Sequence, residues 1–295
     1  MPGKRPKAPA TTRREKKNTK RATPKSRREK TTRERVAASP RRTPSASGGR
    51  KTAGSADTPM KPGRPAGRHR APYYVSCLHR RRGVATWIVN GSYIRKNVDE
   101  EFSNFGHHWS ISSIPKNEIW LDQEADADEQ RFFVAHATLE RSLMKAGKDY
   151  DTARAAANLA ERRLRAKSGD IQRVAPGASL PQASRVHSRL WKTLPNGVQV
   201  WFVKGRLVRS VFDIEFTEGG HEHVYEYIPK NEIWIDDDCH DDENSFVLFH
   251  EMHERHLMGD GMDYDTAHDE SSRLEKHYRH HPDQLHQALA AEGWE

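Results

Sequence analysis

The heptapeptide IPKNEIW at Ile114–Trp120 returns unchanged at Ile228–Trp234, and the spacing between the two sets the organisation of the chain. At a constant offset of 114, residues 84–165 align with 198–279 without a gap, and 34 of those 82 positions are identical. DYDTA recurs at Asp149–Ala153 and Asp263–Ala267, and single matches include Trp87/Trp201, Gly91/Gly205, Gly106/Gly220, His107/His221 and Phe132/Phe246. Identity of this density in fixed register marks an internal duplication. Two copies fall short of a solenoid, so each is expected to be a small domain packed on its twin.

Each copy reads as strands followed by two helices. The runs Val84–Val89 and Ser92–Phe102 flank Asn90-Gly91, and Val198–Val203 and Arg206–Phe216 flank Lys204-Gly205. That pattern predicts a hairpin. Val224–Tyr227 and IPKNEIWID are expected to add strands. Helix one opens at Asp241/Asp242 (Asp126/Asp128 in the first copy) and closes near Gly259–Gly261; Asp263 caps helix two, which runs to Arg279. The fold class is therefore α+β, with a small, mainly antiparallel sheet and two helices per module. The modules span 73–166 and 184–295, a linker covers 167–183, and a short helix is expected over Asp283–Ala291.

The segment ahead of the modules is chemically different. Residues 1–72 hold 23 Lys/Arg against Glu15, Glu29, Glu34 and Asp57, a net charge of +19, and lack aromatic residues; the remainder carries −10. Such a segment buries too little apolar surface to offset chain entropy and is expected to be a disordered tail. Its charge suits nucleic acid or another polyanion, bound through counterion release with little sequence preference. The acidic body is left for protein partners. Cys77 and Cys239 occupy non-equivalent positions, which argues for a reducing compartment. No run of 18 apolar residues suggests a membrane span. The expected location is intracellular, in cytoplasm or nucleoid, or in a virion, and not secreted.

Chemistry concentrates in helix one of the second copy, FVLFHEMHERHLM at Phe246–Met258. His250 and Glu254 stand four apart on one helical face, with Glu251 directly after the histidine. This H-E-x-x-E pattern resembles the zinc-binding helix of zincin metallopeptidases over that helix alone, with Glu254 where the second histidine belongs. The resemblance implies zinc on His250, Glu254 and a third ligand from helix two, His268 or Glu275, with Glu251 as the catalytic base. His253 and His256 lie off that face, and His221 and His223 are too distant in sequence to place.

The duplication supplies an internal control. The first copy keeps His136, Glu140 and Glu161 at the places of His250, Glu254 and Glu275, but has Ala137 for Glu251 and Arg154 for His268. Either the shared set is a buried hydrogen-bond network that registers the helices, or the second copy is a metal site and the first a relic. Paired-helix carboxylates also suggest magnesium pyrophosphohydrolases, but His250 and His268 break the all-acidic set. The Asp236–Asp238 run lacks calcium-loop spacing, and the repeated Trp and Tyr residues read as core.

Two functions stay open: a zinc-dependent hydrolase brought to a polyanion by its tail, or a non-enzymatic nucleic-acid-packaging or structural interaction protein. Under both, deleting residues 1–72 is expected to abolish binding to mixed-sequence DNA or RNA at physiological salt. A truncated chain that binds as tightly as the full one overturns the assignment to the tail.

Overall fold

The computed structural model describes residues 71–175 and 181–295; most of the basic tail, and the expectation of its disorder, lie outside them. Each copy forms a four-stranded sheet followed by helices, so the α+β class and the tandem layout hold. In the first copy β1 (Tyr74–Arg81), β2 (Val84–Val89), β3 (Phe105–His107) and β4 (Glu118–Asp122) assemble in the order β1-β2-β4-β3. In the second, β5 (His187–Thr193), β6 (Gln199–Val203), β7 (Gly219–His221) and β8 (Glu232–Asp236) repeat it as β5-β6-β8-β7. The outer pairings are antiparallel and the central one, β2 with β4 and β6 with β8, is parallel.

The parallel pair corrects the hairpin expected at Asn90-Gly91 and Lys204-Gly205. Those residues open short helices instead, α1 (Gly91–Asn97) and α5 (Gly205–Val211), which begin the crossover that a parallel pairing needs. Asn90 Oδ1 caps the first by accepting from the Tyr93 N–H at 2.8 Å. A carboxylate at the end of the neighbouring strand completes the start: Asp122 accepts from Gly91 N and Asp236 from Gly205 N, both at 3.2 Å. The true hairpin lies one strand earlier. Arg82 and Gly83 both take positive φ, 49° and 79°, as a two-residue turn between β1 and β2 requires. The second copy has one more residue here, since Tyr74 pairs Val89 but His187 pairs Val203. The gapless repeat therefore begins only after the turn.

The shared heptapeptide forms a turn and half a strand rather than a full strand. Ile114 and Ile228 are buried, the Pro115 carbonyl accepts from Glu118 N, and only Glu118–Asp122 and Glu232–Asp236 are extended. Glu118 accepts the indole N–H of the fully buried Trp120 at 2.9 Å, and Glu232 that of Trp234 at 2.7 Å. A buried indole needs such a partner, which accounts for the E-I-W identity. Val224–Tyr227, expected as a strand, is a turn held by Val224 and Tyr225 N–H groups on the His221 carbonyl.

The two long helices of each copy cover one face of the sheet. They are α2 (Gln130–Lys145) and α3 (Tyr150–Arg165), then α6 (Asp241–Gly259) and α7 (Tyr264–His280). Asp149 and Asp263 cap α3 and α7 as expected, accepting from Thr152 N and Thr266 N. The linker carries a helix, α4 (Asp170–Val174), whose Val174 is buried against the second copy. Residues Leu285–Ala291 form α8 after a 3₁₀ turn at Pro282–Gln284, and Leu285 and Leu289 enter the core beneath α6.

The copies are joined by a reciprocal exchange of buried ions. Arg95 of α1 donates to Glu243 of the second copy at 2.8 Å; the equivalent Arg209 of α5 binds Glu129 of the first. Each arginine also holds its own strand's carboxylate, Asp122 at 2.8 Å and Asp236 at 2.5 Å. Gly91 and Gly205 make room for those carboxylates: a Cβ would stand 1.7 Å and 1.9 Å from their oxygens. Because the arginines pin the carboxylates, neither can move aside. Gly91→Ala and Gly205→Ala are each expected to destabilise the chain by about 1–3 kcal/mol or more, read from denaturant midpoints. Wild-type midpoints would refute this account of the joint.

Candidate metal centre

Both copies bury the same hydrogen-bonded file behind helix one. In the first, His136 Nδ1 meets Glu161 at 2.8 Å and Nε2 meets Glu140 at 2.8 Å. Glu140's second oxygen lies 3.2 Å from His107 Nε2 on β3. Glu161 is held by Arg165, which also binds Glu129 at 2.5 Å. In the second, His250 Nδ1 meets Glu275 at 2.9 Å, and Glu254 Oε1 lies 3.1 Å from His221 Nε2 on β7. Glu275 is held by Arg279, which binds Glu243 at 2.7 Å and 2.8 Å. The structural reading of the shared His-Glu-Glu set describes the first copy well: every member has a partner.

Three replacements make the second copy different. His268 stands where the first has Arg154, and its Nδ1 lies 2.8 Å from Glu254 Oε2 and 3.2 Å from His250 Nε2. His250 Nε2 and Glu254 Oε2 are 3.6 Å apart, closing a triangle. Tetrahedral zinc with ligands at roughly 2.0–2.1 Å has ligand–ligand edges of about 3.3 Å, and these three atoms are spaced so that they could hold a metal ion. A single ring proton serves only part of this triangle, since His268 Nδ1–H can donate to Glu254 or to His250 Nε2. A cation at its centre satisfies all three atoms together.

The remaining expected ligand, Glu275, does not join the triangle. It lies on the opposite edge of the His250 ring, where accepting the Nδ1 proton leaves the Nε2 lone pair free for a metal. Glu251 and Gly219 are the other replacements. Glu251 is buried, and its carboxylate groups with His221 and Glu254. It packs on Gly219 so closely that a Cβ there would stand 2.8 Å from Glu251 Oε1. The first copy has Ala137 and Phe105 at these positions, and the Phe105 ring lies over His136 with centroids 4.9 Å apart. Phenylalanine takes up this space in the first copy; glycine leaves it to a carboxylate in the second.

Sequence reasoning missed His221 and Gly219. Their signals were the His107/His221 identity and the Phe105-to-Gly219 exchange, neither of which shows that β7 runs beside α6. His253 and His256 both bond Glu292 near the C-terminus, at 2.7 Å and 2.9 Å, and stay outside the site. The Asp236–Asp238 cluster is engaged by Arg209, a fixed cation where a metal would have to sit.

Charge at the triangle is tightly linked. Burial opposes the His250 imidazolium, but Glu254 and Glu275 outweigh it and hold its pKa well above the ordinary value. His268 is raised likewise, against burial, by Glu101 and Glu254. Burial would raise Glu254, yet His221, His250 and His268 keep it well below the usual carboxylate range. Glu275, also buried, is held at about 2 by Arg279 and His250.

A cavity of about 390 Å³ opens onto these groups between the copies. His250, Glu251, His268 and Glu275 line it from the second copy; His136, Glu140, Glu161, Arg154 and Glu101 line it from the first. Arg154 is tied to Glu215 at 2.9 Å and to the Tyr150 hydroxyl, so the first copy presents a guanidinium where the second presents an imidazole. Comparison with family models, curated proteins and solved structures finds no match.

Metal uptake at the triangle must displace the protons that the raised His250 and His268 pKa values retain near neutrality. The apparent zinc affinity is therefore expected to weaken as pH falls. Calorimetric titration at pH 7 in buffers of different ionisation enthalpy should show proton release; zinc binding without it contradicts this placement.

Proposed function

We propose that the second copy is a zinc-dependent hydrolytic centre, with His250, Glu254 and His268 on the metal and Glu251 as the base that takes a proton from water. What carries this reading is that the three replacements, His268, Glu251 and Gly219, fall in one copy and converge beside one cavity. When bound, zinc would bring the pKa of a coordinated water to about 7 and polarise the scissile group. The chain's own groups have separate tasks. Glu275 fixes the His250 tautomer, and His221 holds one oxygen of Glu254 so that the other points into the triangle. Glu251, buried beside Gly219, accepts the proton.

The basic tail contributes a second element of the proposal, delivery to a polyanion, supported by the +19 against −10 charge division. No helix of the described residues is long and apolar enough to cross a membrane. A rival reading, a structural interaction protein, draws on the first copy, which keeps the His-Glu-Glu file without His268 or Glu251.

Elemental analysis and turnover decide between them. The full chain is expected to carry one zinc, and Glu251→Gln to keep that zinc while losing hydrolysis by roughly 10²–10⁴-fold. Peptide substrates come first in the panel, given the resemblance of the H-E-x-x-E helix. His268→Arg, which copies Arg154, should lose the zinc. A metal-free wild type, or a Glu251→Gln chain indistinguishable from it, favours the structural reading.

A further inference from the structure

The first copy lacks counterparts of Glu251 and His268 yet is joined to the second by contacts that run to His250 and His268. Arg95 donates to Glu243 at 2.8 Å, and Glu243 accepts from Arg279. Arg279 grips Glu275 at 2.7 Å and 2.9 Å, and Glu275 meets His250 Nδ1 at 2.9 Å. A continuous file of charged hydrogen bonds thus begins in the first copy and ends on the imidazole edge opposite the metal face. A second contact reaches a histidine without intermediate residues. Glu101 of the first copy lies 3.8 Å from His268 Nε2, while His268 Nδ1 faces the triangle. The loop carrying Glu101 is tied to α7 by its neighbour Glu100, which accepts from Lys276 at 2.9 Å.

We infer that the first copy acts as the positioning half of the second copy's metal centre, through Arg95 on His250 and Glu101 on His268. This rests on the metal reading above. Ligating imidazoles are oriented by what holds their other nitrogen; here His250 Nδ1 is held by a file that traces to the first copy, and Glu101 of the first copy stands at ion-pair distance from His268 Nε2. Neither module alone holds the complete arrangement. The duplication would then persist because the second copy cannot present its ligands without a partner of its own shape.

The mirror contacts supply matched controls. Arg209 binds Glu129, which leads through Arg165 and Glu161 to His136, and Glu215 binds Arg154. These occupy the equivalent positions but end at His136 and Arg154, in the copy without counterparts of Glu251 and His268. Zinc and cobalt(II) titrations of the full chain against a competing chelator, with unfolding of the metal-free forms alongside, separate positioning from stability. Glu101→Gln is expected to weaken zinc about tenfold or more and to shift the visible cobalt bands, with unfolding as in wild type. Glu215→Gln should leave affinity and bands unchanged. Arg95→Met should weaken zinc more than Arg209→Met, although both remove a buried interface arginine. Glu101 is exposed, so the Glu101/Glu215 comparison decides if the arginine variants fail to fold. Glu101→Gln at wild-type affinity, or equal weakening by the mirror variants, overturns the inference. A wild-type chain that takes up neither metal rejects the metal reading itself, and that result is read before any variant.

Discussion

Two guanidinium groups, exchanged between copies, hold the described fold in one arrangement. Arg95 crosses to Glu243 and Arg209 crosses to Glu129, positions related by the same offset of 114. Contacts of this reciprocal kind define an isologous interface, here within one chain. Buried ion pairs add little net stability over apolar packing, but a partner left unpaired is costly. Their physical effect is therefore to exclude other dockings. The crowding shows in the acids around Arg95: burial and neighbouring carboxylates push Glu218 up to about 7 and Glu124 up to about 8, despite that arginine. The joint is selective because it tolerates one set of neighbours.

From that joint the two copies diverge in opposite directions. The first fills the space over its histidine with Phe105 and places the Arg154 guanidinium beside Glu140, where a cation is already supplied by the chain. The second replaces the aromatic ring by Gly219 and the arginine by His268, exchanging a permanent cation for an imidazole whose charge beside Glu254 depends on its proton. Burial of a carboxylate among three imidazoles is stable only with protons or a metal to balance it. The two sites thus solve one electrostatic problem in two ways.

Much of this is legible in the residues alone. The duplication, the α+β class, the two long helices, the Asp caps of the second of them and the convergence of His250 with helix two follow from spacing and identity, whereas helix one of the first copy starts at Gln130, after the Asp126 and Asp128 expected to open it. The hairpin expected at Asn90-Gly91 is replaced by a helix start, because Asn caps a helix as readily as it starts a turn and the decisive partner, Asp122, lies 31 residues away. The strand expected at Val224–Tyr227 fails for a related reason: its apolar side chains are core, but its backbone turns. β1 escapes a reading by pattern because its residues are mostly exposed on an edge strand, leaving no alternation to read.

The sequence by itself determined the repeat, the helical faces and the list of ionisable residues, since these depend on periodicities of a few residues. Only the tertiary structure decided which of them meet. Parallel pairing of β6 with β8 places β7 beside α6, bringing His221 and Gly219 to Glu254 and Glu251 across some thirty residues of chain. The packing of one copy on the other brings Glu101 to within 3.8 Å of His268 Nε2. Such meetings are fixed by packing over long separations, where local propensity carries no information, and they determine which ionisable groups gather at each of two nearly identical sites.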